Sequence, residues 1–201
     1  MALDSLPVVP YLSRSARLEP LLSTGRVGQA EIAALIGLGV TAAVLTTLVD
    51  FNLRIPGHHI IYAMFPFALG FALVPRTLAG TIMSGAAVAT VLALGFAGVH
   101  TPGVGVLTGL ALSGPLLDRA LRWGRAGARL YGAFIAAGAL ANIAAFLIRG
   151  LAKYTGVGGL AGTRPFSAWI SVAVWTYLVC GVMAGLLSAA AWFQLRERKA
   201  S

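Results

Sequence analysis

Charge is what this chain has least of. Only 10% of its 201 residues are charged and 58% are hydrophobic, whereas soluble domains carry roughly 25% charged residues. Too little polar surface is available to cover a soluble globule, so an integral membrane protein is the direct reading. Cysteine is nearly missing too. The one cysteine, Cys180, lies in an apolar run, which excludes an intrachain disulfide framework and reads as a small buried hydrophobe. Acidic residues number six, none of them in the middle of an apolar segment, so a proton or sodium relay of the pump kind has no carrier. There is no GxxxxGK[ST] loop and hence no visible means of hydrolysing ATP. HExxH, GxSxG and buried paired carboxylates are also missing, so no enzymatic activity and no cofactor are expected of this chain. GVGVLTG at 103–109 resembles a dinucleotide loop only superficially, because it lies in an apolar segment where close packing is the better reading.

Basic residues are the exception to this scarcity. The net charge is +9. They form no stripe interleaved with aromatics, and the bulk of the chain is apolar, so nucleic acid is not an expected partner. Basic loops are the ordinary outcome of positive-inside sorting.

Six apolar segments stand out, at 31–50, 60–74, 78–98, 103–117, 128–148 and 168–193. The first, third, fifth and sixth approach the ~20 residues that a bilayer needs. The second and fourth are shorter and are expected to be short or broken helices beside a cavity. The fold expected is therefore an all-α bundle of six transmembrane helices spanning 30–193. It is flanked by a tail at 1–29, with Pro7, Pro10 and Pro20 and no apolar core fit for a signal peptide, and by a basic tail at 194–201. Six spans put eleven basic residues on the side of the two tails and four (Arg54, Arg149, Lys153, Arg164) on the other. That bias places both termini in the cytoplasm, in a multi-pass protein of the cell (inner) membrane.

This orientation gathers the unusual polar residues on the outer side: Asp50, Asn52, Arg54, His58 and His59 in the first loop, His100 and Thr101 in the third, Lys153, Tyr154 and Arg164 in the fifth. Asn142, Phe146, Arg149 and Lys153 step by four, three and four, so they share one helix face. An amide as deep as Asn142 needs a partner. Either Asn142 and Arg149 reach into a solute pocket, or Asn142 satisfies a neighbouring helix backbone and Arg149 marks the interface by snorkelling.

The histidines allow three readings. A divalent cation would draw on Asp50, His58 and His100, but adjacent helical side chains point about 100° apart and rarely share one metal. Alternatively they hydrogen-bond an organic solute, or they cap the second span at the interface. Pro56-Gly57 and Pro102-Gly103 precede the two short spans in matching positions, the pattern that marks a binding site in transporters. The first span carries small residues four apart, Ala30 with Ala34, Ala33 with Gly37 and Gly39 with Ala43. These permit close backbone approach to a partner helix or within the bundle. The basic run DRALRWGRAGAR at 118–129 suits anionic headgroups.

Six short spans, a small-xxx-small first span, PGHHIIYAMFPFALGFALVPR at 56–76 and ALANIAAFLIR at 139–149 together resemble the substrate-binding (S) component of an energy-coupling factor transporter. The resemblance runs from about Ala30 to Phe193. It implies a vitamin-like micronutrient bound near the outer face, with Asn52, His58, His59, Asn142 and Arg149 at the pocket. It also implies docking through Ala30, Ala34 and Gly37 on a transmembrane coupling subunit served by cytosolic ATPases. The positive outer side favours an anionic or neutral polar solute. The cobalt and nickel branch of that family carries its ligands in a histidine-bearing N-terminus, and MALDSLPVVP holds none, which counts against metal uptake. A small membrane scaffold or an intramembrane enzyme using Asp50, His58 and His59 is the remaining alternative.

Overall fold

Backbone in hydrocarbon has no water to bond, so each apolar segment must satisfy its own amides by coiling. The structure, a computed structural model, describes residues 27–49, 55–99, 102–124, 127–156 and 166–200. Six helices form: α1 Gln29–Leu48, α2 His59–Leu73, α3 Ala79–Phe96, α4 Val104–Trp123, α5 Gly127–Thr155 and α6 Phe166–Ala200. Among the described residues there is no strand. All but α2 are long and apolar enough to cross a membrane, so the fold is that of a multi-pass membrane protein.

Three lengths depart from the sequence reading. α4 is not short: its 20 residues continue through the charged turn Asp118–Trp123, where the buried Asp118 has partners that the apolar run alone does not reveal. α5 and α6 run to 29 and 35 residues. α6 therefore carries the basic tail on as helix, and Arg149 lies within α5 rather than at its end. α2 has 15 residues, about 22 Å at 1.5 Å per residue.

That short helix joins the bundle together. α2 packs on α1 and α6 and touches α3, α4 and α5, while the others follow one another in an open arc, α1, α3, α4, α5, α6, whose ends α2 bridges. Nine of its residues are buried, including Met64, Phe67 and Phe71. Pro66 sits inside it, and a proline in a span is tolerated where neighbouring helices surround the freed carbonyl. On the neighbouring pair, Gly80 of α3 and Gly114 of α4 let the backbones meet, since a Cβ on Gly80 would lie 2.3 Å from the Gly114 carbonyl oxygen. The Ser84 hydroxyl then inserts between Leu110 and Gly114. It donates to the Leu110 carbonyl at 2.7 Å and accepts from the Gly114 amide at 2.9 Å.

Contacts at the helix ends give the bundle two distinct poles. At one, Glu31 in the first turn of α1 pairs with Arg76 of the α2–α3 connection at 3.2 Å. Asp118, at the end of α4, accepts from the amides of Gly80 and Thr81 and from the Thr81 hydroxyl at 2.7–3.0 Å. The first turns of α3 thus receive their cap from another helix, which matters because Leu78 precedes them at φ 69° and supplies no cap of its own. Tyr131 stacks on Phe193 there, with ring centroids 4.6 Å apart. Arg119, Arg122 and Arg129 are exposed at this basic pole. The opposite pole holds Gly57, the histidine pair, Arg149 and the packing of Gly150 against Trp169.

Candidate functional site

At the histidine pole the chain turns into α2 through Pro56-Gly57. Gly57 has φ +87°, a conformation that favours glycine. A Cβ there would lie 2.9 Å from the Tyr177 ring and 3.1 Å from Asn142 Nδ2. Those two residues hold the turn. Asn142, 2% exposed, donates through Nδ2 to the carbonyls of Gly57 (3.1 Å) and Tyr177 (2.6 Å). Both partners are carbonyl oxygens, so the amide can face only one way. It clamps the entry of α2 to the backbone of α6. Its Oδ1 takes no hydrogen bond from the described residues.

The α5–α6 seam makes that reach possible. Gly138 and Gly181 meet backbone to backbone one turn below, where a Cβ on Gly138 would lie 2.4 Å from the Gly181 carbonyl oxygen. One turn above, Phe146 stacks on Trp169 at 5.5 Å. The sequence face Asn142–Phe146–Arg149–Lys153 is thereby turned inward in its lower half. Asn142 is buried, and Phe146, Arg149 and Lys153 are partly buried. Arg149 reaches the Tyr177 hydroxyl, Nη1 to oxygen 3.4 Å. No carboxylate among the described residues pairs with it.

A cavity opens beside this clamp. Its polar lining is Thr46 of α1, Gly57, His59 of α2, Asn142 of α5 and Tyr177 of α6, and its apolar wall is Ile60, Ala63, Val106, Leu110 and Ala145. Gly105 and Gly109 of α4 complete it. The volume open to the centres of water-sized spheres is about 20 Å³, against roughly 10–15 Å³ for one water. In this conformation the cavity accommodates one or two waters. An organic solute needs more room than this.

The two histidines differ. His58 precedes the helix, and its Nδ1 bonds the Ile55 carbonyl; a carbonyl only accepts, so Nδ1 carries the proton. His59 lines the cavity. The two rings lie side by side even though His58, the residue before the helix, already has a helical backbone conformation. The centroids are 4.1 Å apart and tilted by 30°, and Tyr62 meets both rings edge-on.

Of the remaining sequence candidates, Asp50, Asn52, Arg54, His100, Thr101 and Arg164 lie outside the described residues. Among the described residues no three His, Cys, Asp or Glu side chains come together as a metal site. On α1 the small residues divide. Gly39 packs on the backbone of Met83, and Ala42 and Ala43 are buried, whereas Ala30, Ala33, Ala34 and Gly37 stay exposed. Sequence reasoning missed Tyr177, Thr46 and Gly105 as cavity residues. A tyrosine inside an apolar run was the available signal for the first; nothing local marked the other two.

No protein-family model, curated protein or solved structure matches the chain.

Proposed function

We propose that the chain is the membrane-embedded solute-binding subunit of an ATP-driven importer of the energy-coupling factor type. It takes an organic micronutrient, neutral polar or anionic, at the histidine pole. The observation that carries this reading is the convergence of Asn142, His59 and Tyr177 from three helices on one cavity, with Asn142 Oδ1 taking no hydrogen bond from the described residues. Arg149, two turns along α5 from Asn142, outside the cavity lining and lacking a carboxylate partner among the described residues, supplies the positive charge that suits an anion. Apolar walls with a few convergent polar atoms are the usual make-up of a small-molecule site.

The rest of the reading follows from charge and exposure. The basic pole faces the cytoplasm of the cell (inner) membrane, so the histidine pole faces out. The exposed α1 face of Ala30, Ala34 and Gly37 is the docking surface for a transmembrane coupling subunit, whose cytosolic ATPases provide the energy. The test is purification from the native membrane. Coupling and ATPase subunits are expected to come down with the tagged chain, and mass spectrometry is expected to find an organic solute that His59→Ala releases. Stoichiometric metal without an organic solute, or a chain that never brings down an ATPase, would overturn the proposal.

A further inference from the structure

The lipid-facing side of α4 ends in a cluster of a different kind. Ala111, Leu112 and Pro115 are exposed, and one turn on the same face continues as Arg119, Arg122 and Trp123, at positions i, i+3 and i+4. Trp123 is 82% exposed. Across the turn, Arg129 begins the exposed face of α5, which then runs through Gly132, Ala136 and Leu140. No atom lies within 4 Å of where a Gly132 Cβ would sit, so this face is shallow as well as open. The one acid nearby, Asp118, is 2% exposed and engaged by Gly80 and Thr81. Its charge is shared with Arg122, which lies within Coulombic reach, and among the described residues neither Arg119 nor Arg129 forms an ion pair.

We infer that this corner of α4 and α5 is a binding site for an anionic phospholipid. Arg119, Arg122 and Arg129 hold the headgroup phosphate, Trp123 sits at the glycerol level, and the acyl chains lie over Ala111, Pro115, Gly132 and Ala136. Arginine suits this task because its planar fork pairs two phosphate oxygens at once. Indole belongs at the boundary of headgroups and tails. Small residues let a chain lie flat against the helices. The site is at the far pole from the cavity and stands whether or not the chain binds a solute.

Native mass spectrometry and thermal unfolding of the detergent-purified chain test it, with phosphatidylglycerol, phosphatidylcholine or inorganic phosphate added. The control is a variant in which Arg196, Arg198 and Lys199 are changed to glutamine, removing the same charge elsewhere. Phosphatidylglycerol is expected to stay bound and raise Tm in the wild type and in this control. The triple variant Arg119→Gln, Arg122→Gln, Arg129→Gln is expected to bind it about 100-fold more weakly at low salt. Gly132→Leu, with all arginines intact, is expected to reduce retention of the lipid and leave the weak response to inorganic phosphate unchanged. Equal retention of phosphatidylcholine, equal loss in the tail control, or inorganic phosphate alone giving the full Tm rise would each overturn the proposal.

Discussion

The two poles of the bundle are held by the same device, put to different ends. At the basic pole, Asp118 reaches from α4 to the start of α3 and is surrounded by three donors from Gly80 and Thr81. At the histidine pole, Asn142 reaches from α5 to the carbonyls of Gly57 and Tyr177 and keeps its oxygen open beside a cavity. A buried polar group fully matched by the fold is a fastener. One matched on a single side and facing a cavity has capacity left for a water or a ligand.

Substitutions sharpen this contrast, beginning with the largest effect. Asp118→Ala removes the cap of α3 and leaves its amides buried, at about 3 kcal/mol. Tm in detergent is expected to fall by about 6–12 °C, with solute affinity unchanged in the protein that remains folded. An unaltered Tm would show that α3 does not depend on α4 for its start. Asn142→Ala is expected to cost about 1–3 kcal/mol and, in addition, at least about tenfold in solute affinity measured by calorimetry. A loss of stability alone would make Asn142 a fastener like Asp118 and erase the difference between the poles.

Gly57→Ala forces a side chain into φ +87° and against Tyr177, at about 1–2 kcal/mol. By displacing the turn it is expected to weaken solute binding more than Asn142→Gln does; comparing the two affinities decides whether the turn or the amide sets the site. The smallest effect belongs to Arg76→Ala. Its pair with Glu31 lies near the surface, and exposed pairs contribute little, so the Tm change is expected to stay below about 2 °C. A larger drop would place the basic pole's stability in that pair instead of in Asp118.

Much of the fold was legible in the chain, because hydrocarbon permits few solutions. Runs of about 20 apolar residues must be helices, and each of the six segments became one. The helix ends were less legible. α4 continues past Asp118 because three donors from α3 receive that carboxylate, and α5 continues past Arg149 because the side chain lies against Tyr177 and Gly105. The candidate site was legible only in part. Asn142 announced itself as an amide amid alanines. The Pro-Gly turn announced a bend, and φ +87° at Gly57 is its physical content. Tyr177 and Thr46 did not stand out, since each resembles its neighbours until the helices are brought together.

Composition and apolar periodicity alone determined that this is a multi-pass helical membrane protein, and the distribution of arginine determined that its poles differ in charge. Those properties belong to the chain's transfer between water and lipid, which depends on which residues are present and in what order. Only the tertiary structure decided that α2 joins α1 to α6, that α3 is capped by α4, and that the Asn142 amide closes on the carbonyls of Gly57 and Tyr177. Hydrogen bonds are met or left open by distances of a few tenths of an ångström between segments up to 85 positions apart, and no local pattern encodes such a distance.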